Sequence, residues 1–100
     1  MNNIDYINRY FSFISDELNS LDIKDFKKFV TILNKIKLNK KKVILIGNGG
    51  SAAMSSHVSV DLTKQCGIRA INFNEADLIT CFANDYGHDN WIKEAIKKYY

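Results

Sequence analysis

VILIGNGGSAAMSSHVSVDL, residues 43–62, is the stretch on which the reading of the chain turns. It opens on four apolar residues, three of them β-branched, behind a run of lysines. Gly47-Asn48-Gly49-Gly50-Ser51 comes next, followed by a segment rich in Ala and Ser. The pattern predicts a buried parallel strand, a glycine turn, and a helix whose N-terminus faces the strand end. Free N–H groups in the first turn of such a helix suit an anion, such as a phosphate or an enediolate oxygen. Gly47, Gly49 and Gly50 are expected to allow positive φ and the close approach of a ligand. Asn48 and Ser51 add side-chain donors at the same place. The plain alternative is a tight connection with no ligand. GxGxxG would need glycine at position 52, where Ala52 stands, and no Gly-Lys-Ser/Thr follows. A dinucleotide fingerprint and a Walker-type phosphate loop are therefore excluded.

Working outward toward the N-terminus, Ile4, Ile7, Tyr10, Phe11, Ile14 and Leu18 recur at helical spacing within Asn2 to Asn19. Asp22 reads as the N-cap of a second helix, with Leu21 placed as a staple against Phe26. Phe26, Phe29, Val30, Leu33 and Ile36 share one face of that helix. Two adjacent amphipathic helices suggest a helical hairpin whose apolar surface exceeds what one sheet can cover, and so a subunit interface. KLNKKK, residues 37–42, reads as a solvated helix end, where lysine suits the negative end of the helix dipole. Attraction of phosphate or nucleic acid is the alternative, but the run lacks interleaved aromatic residues.

Toward the C-terminus, Gly67 ends the central helix and Ile68 to Phe73 reads as a second strand. The order strand, helix, strand implies a parallel pair. Asn74 is expected to cap a short helix, Glu75 to Phe82, and Asn84-Asp85-Tyr86-Gly87 to form a turn. A last helix begins at Asp89 or Asn90, with Trp91, Ile92, Ala95, Ile96 and Tyr99 as its apolar stripe.

Composition bounds the rest. Hydrophobic residues make up 46% and charged residues 25% of 100, as expected for one small globular domain. Fourteen basic residues face eleven acidic ones, a net +3 that does not argue for nucleic-acid binding. Cys66 and Cys81 form neither a disulfide framework nor a zinc motif. No signal peptide or bilayer-spanning run is visible, so a cytoplasmic protein is expected.

Two further candidates carry chemistry. His57 and Asp61 stand at i, i+4 on one helix face. Such a pair can hold a metal or share proton transfer; a surface hydrogen bond is the plain alternative. Asp85, in its expected turn, could orient a hydroxyl or cap the last helix.

GNGGSAAMSSHVSVDLTK (47–64), with FNEADLITCFANDYGHDNW (73–91) downstream, resembles the N-terminal half of a sugar isomerase (SIS) domain. Within that superfamily it resembles the phosphoheptose isomerase family. The resemblance implies an α/β fold: an SIS-type, flavodoxin-like parallel sheet with flanking helices, here an incomplete domain. Residues 1–40 would be the N-terminal helical hairpin used in oligomerisation, and 41–100 the first half of the SIS domain. It also implies aldose–ketose isomerisation of a sugar phosphate such as sedoheptulose 7-phosphate, yielding a heptose precursor for surface glycans. A zinc cofactor and a homotetramer come with it, with no membrane or nucleic-acid partner. Carried over by position, His57 is a zinc ligand, and Asp61 a zinc ligand and base. Asn48, Gly49, Gly50, Ser51, Asn84 and Asp85 contact the substrate, and Asp85 is a catalytic aspartate. Glutamate is the family's usual residue where Asp61 stands, so the carboxylate here is one methylene short. His88 departs from the pattern and receives no role. The family's serine-rich phosphate loop and its late glutamine and histidine have no counterpart in these residues. The chain alone is therefore expected to be inactive. The rival reading is a non-catalytic SIS module that binds a phosphosugar or a protein.

Overall fold

A computed structural model describes residues 2–100; Met1, the first residue of the expected N-terminal segment, lies outside them. Seven elements follow in order: α1 (Asn3–Asn19), α2 (Ile23–Leu38), β1 (Lys42–Leu45), α3 (Gly50–Lys64), β2 (Arg69–Asn72), α4 (Ala76–Tyr86) and α5 (Trp91–Tyr99). The chain divides into two compact units, Met1–Ile32 and Leu33–Tyr100, with the division inside α2.

In the first unit the Asn2 side chain caps α1 by accepting from the Asp5 N–H at 2.8 Å. Asp22 caps α2 as expected, with Oδ1 accepting from the Lys24 N–H at 2.8 Å. Leu21 and Phe26, the expected staple pair, line one hollow with Asp22, Asp25 and Phe29. Neither α1 nor α2 holds a buried residue.

The second unit is built on a two-stranded parallel sheet with Lys42 opposite Arg69, Val43 opposite Ala70, Ile44 opposite Ile71 and Leu45 opposite Asn72. Strand alternation sorts these residues onto two faces. Ile44, Ile46, Ile71 and Phe73 join Trp91, Ala95 and Phe82 in the core beneath α4 and α5. Phe73 is 4% and Ala95 0% exposed, so this cluster carries most of the apolar burial of the unit.

The opposite face meets α3, whose buried residues are Leu62 and Ser59. Ser59, buried, donates to the Ser56 carbonyl at 2.8 Å and accepts from Asn72 Nδ2 at 2.9 Å. Thr63 Oγ1 donates to the Ser59 carbonyl at 2.8 Å and accepts from the Ala70 N–H at 3.3 Å. Among the described residues no buried side-chain N or O atom lacks a partner. That satisfaction is what allows a serine-rich helix face to be buried.

Two expected boundaries are corrected. Asn74 does not cap α4. Its Nδ2 donates to Ser56 Oγ at 2.7 Å and its N–H to Asn72 Oδ1 at 2.9 Å, so it is tied to α3 and β2. Glu75 takes the cap instead, with Oε2 accepting from the Leu78 N–H at 2.9 Å. Nor do Asn84, Asp85 and Tyr86 form a turn: α4 runs through them, four residues beyond Phe82. Nothing before Gly87 breaks the helix, and Phe82 and Tyr86 stack edge-on across that added turn, 5.6 Å apart. Gly87, at φ +84°, stops it.

Candidate functional site

The glycine turn sits at the C-terminal end of β1 and opens α3. Its three glycines do different things. Only Gly49, the N-cap of α3, has positive φ, at +57°. Gly47 is needed for packing, since a Cβ there would lie 2.3 Å from the Ser51 carbonyl carbon and oxygen. A Cβ on Gly50 would meet nothing within 4 Å. The expectation of positive φ at all three is thus corrected: the strand enters the helix so closely that Gly47 is selected by contact. The helix N-terminus is also less open than expected. The Ser51 N–H donates to the Asn48 carbonyl at 3.1 Å and the Ala52 N–H to the Gly49 carbonyl at 3.0 Å. The anion-facing donors therefore narrow to Gly49 and Gly50, with the exposed side chains of Asn48 and Ser51 beside them.

Beyond this turn lies a cleft of about 380 Å³, lined by Ile46, Gly47, Asn48, His88, Asp89, Trp91 and Ile92. The α4–α5 connection forms its far wall. Asn90 fixes that connection, donating from Nδ2 to the Tyr86 carbonyl at 3.1 Å and from its N–H to the Gly87 carbonyl at 3.1 Å. His88 and Asp89 thus share a cleft with Asn48, a placement that sequence reasoning missed. The signal for Asp89 was present in part. Once Asn90 is the helix N-cap, Asp89 is released from that duty.

Asn84 and Asp85 stand exposed on the last turn of α4. Asn84 Nδ2 donates to Asp85 Oδ1 at 3.2 Å, and Cys81 Sγ lies 3.9 Å from Asp85 Oδ2. Asp85 therefore has its carboxylate oriented by neighbours on its own helix.

His57 and Asp61 meet as their spacing requires, with Nε2 3.6 Å from Oδ2. Their side chains are 79% and 54% exposed. Zinc binds nitrogen and carboxylate oxygen at about 2.0–2.2 Å, which puts two tetrahedral donors roughly 3.4 Å apart. The pair fits two positions of such a site with hardly any movement. Among the described residues no group of three or more His, Cys, Asp or Glu could hold a metal. A zinc held by this pair would need further ligands from outside these residues. His57 is seven residues and Asp61 eleven residues beyond Gly50, so they lie about 10 Å and 16 Å along the helix from the turn. The structure brings Asn48 to His88 and Asp89, and His57 to Asp61, and keeps these two groups apart.

Comparison with known proteins agrees with the motif reading. The chain is 35% identical over 80 residues to a phosphoheptose isomerase of Buchnera aphidicola subsp. Acyrthosiphon pisum (strain Tuc7), covering 75% of this chain and 42% of that protein. It is 36% identical over 84 residues to one from Buchnera aphidicola subsp. Schizaphis graminum, covering 79% and 43%. One from Helicobacter pylori is 35% identical over 69 residues, covering 63% and 36%. The chain thus spans about two fifths of the length of the relatives it matches. No protein-family profile and no solved structure matches it. A match covering 75 of 100 residues must include residues 26–75, and with them the whole of Gly47–Asp61. Through that central segment the chain is a sequence relative of the phosphoheptose isomerases.

Proposed function

We propose that this chain supplies the sugar-binding turn and half of the metal site of an aldose–ketose isomerase acting on sedoheptulose 7-phosphate or a close analogue. The observation that carries the reading is the glycine turn, held tightly at a strand end inside a segment shared with phosphoheptose isomerases. Its product would be a heptose phosphate for surface glycans, made in the cytoplasm. The two strands would be the first of an SIS-type, flavodoxin-like sheet completed by further polypeptide.

Such an isomerisation removes a proton from the carbon beside a carbonyl and returns it to the neighbouring carbon. It needs a base, an acid, and stabilisation of the enediolate oxygen. In this chain Asn48 and Ser51 would hold the hydroxyl and carbonyl end of the sugar. The N–H groups of Gly49 and Gly50 would face the developing oxyanion. Asn84 would contact a substrate hydroxyl, and Asp85 would orient one or return the proton. Asp61 would act as base, and His57 with Asp61 would hold zinc. Zinc, when bound, supplies Lewis-acid polarisation of the carbonyl. Asp61 lies about 16 Å along the helix axis from the turn, so the reach of the side chains and the length of an extended seven-carbon sugar phosphate would have to join the two. The working site would be composite, completed by residues of a neighbouring subunit in a homotetramer or of further polypeptide.

The test is to titrate the purified chain with sedoheptulose 7-phosphate and follow backbone amide shifts. Shifts are expected at Asn48–Ser51, without turnover by the chain alone. Absence of shifts there would overturn the assignment of the turn. Turnover by the isolated chain would overturn the composite site.

A further inference from the structure

We propose that the N-terminal end of the sheet carries a second anion site, one that takes a small molecule bearing a diphosphate. It lies at the opposite end of the strands from the glycine turn. Lys37, Lys40, Lys41 and Arg69, with Gly67, line an open cleft of about 450 Å³. Three turns of chain converge there: the end of α2, the connection into β1, and the entry to β2.

Solvation of a helix end accounts for only part of this cluster. Lys37 does play that role, donating from Nζ to the Cys66 carbonyl just past α3 at 2.7 Å. The C-terminal ends of α2 and α3 contribute about half a negative charge each, roughly one in total. Four cations exceed that by about three charges. No carboxylate makes up the difference. The salt bridges among the described residues are His57–Asp61 and Glu94–Lys97, and neither involves the cleft.

Lys40 is the second observation. Its φ of +54° makes it the sole non-glycine residue with positive φ among those described. The position just past a helix end normally takes Gly, or sometimes Asn, because a Cβ is strained there. A lysine at this place gives up stability and adds a charge to the cleft. Gly67 leaves the opposite wall low: a Cβ there would first meet Lys37 Nζ, at 3.4 Å. A single phosphate monoester carries about −1.5 to −2, short of the excess, whereas two linked phosphates approach it.

Inorganic pyrophosphate is the probe, titrated into the 100-residue chain by calorimetry and by backbone amide shifts. It should bind about tenfold more tightly than inorganic phosphate, with shifts at Lys40, Lys41, Gly67 and Arg69 and weakening as salt rises. Arg69→Gln and Lys41→Gln should each weaken binding severalfold. Lys40→Gly is the deciding variant, because it relieves the backbone and keeps the fold. It should melt at a higher temperature and bind pyrophosphate less tightly. Unchanged affinity in Lys40→Gly and Arg69→Gln overturns the proposal. So does equal affinity for phosphate and pyrophosphate, or shifts confined to Asn48–Ser51. Binding of an oligonucleotide duplex without binding of pyrophosphate overturns it as well.

Discussion

Gly47 has no room for a side chain, and Gly50 has room to spare. The backbone atoms a Cβ on Gly47 would strike belong to Ser51 and Ala52 and cannot swing aside. Gly47→Ala is expected to cost about 1–3 kcal/mol, the usual penalty of overpacking. It should also weaken sugar-phosphate binding by displacing the first turn of α3. Gly50→Ala is expected to gain about 0.4–1 kcal/mol by stiffening the unfolded chain. Thermal melts of both variants check the pair. Asp61 is a second test at this scale. In the protein as its gene encodes it, Asp61→Ala should abolish zinc retention and nearly all turnover, with an unchanged melt, since the side chain is exposed. A carboxylate set back by one methylene can cost about 100-fold in rate. Asp61→Glu should therefore match or exceed wild type on sedoheptulose 7-phosphate. Metal analysis and turnover of both variants decide it, and wild-type zinc and turnover in Asp61→Ala would remove the residue from the site.

At the scale of the element, hydrogen bonds at Ser59 and Thr63 tie α3 to β2. Ser59 sits at their centre, between Ser56 and Asn72. Ser59→Ala leaves Asn72 Nδ2 without its acceptor in a half-buried place. Leaving such a group unpaired costs about 1–3 kcal/mol. Urea denaturation of the variant should show that loss, and the double variant Ser59→Ala, Asn72→Ala should lose less than the sum of the singles. The same network explains why α4 starts one residue later than its composition suggests. Asn74 has good capping chemistry, but its side chain is drawn to Ser56 on a different element.

At the scale of the whole molecule, apolar surface exceeds the cover available. Phe11 and Phe29 are 64% and 56% exposed, and no residue of α1 or α2 is fully buried. Exposure on that scale is the reason to expect an association surface here. Replacing Phe11 and Phe29 with Glu is expected to shift the protein to smaller species in sedimentation while helix content by circular dichroism stays the same. An unchanged oligomer would contradict the association surface. No helix among the described residues is long and apolar enough to cross a membrane.

Local sequence pattern was enough to mark most of the elements. An unbroken apolar run, mostly β-branched, ahead of the glycine turn marked β1, the stretch Ile68–Phe73 marked β2 to within a residue at each end, and apolar residues at helical spacing marked α1, α2 and α5. The i, i+4 spacing of His57 and Asp61 likewise determined their meeting, because both lie on one helix and its geometry is set by the backbone. Tertiary structure decided whatever depended on a second element. Asn74 lost its cap to α3, and Gly47 was selected by contact with the first turn of that helix. His88 and Asp89 came to face Asn48 only because α5 packs through Trp91 against Phe73 on the sheet. The four cations of KLNKKK and β2 converged only because the parallel register sets Arg69 beside Lys42. Local periodicity carries no information about which distant groups share a space. That is fixed by the packing of one face against another, and packing is a property of the assembled chain.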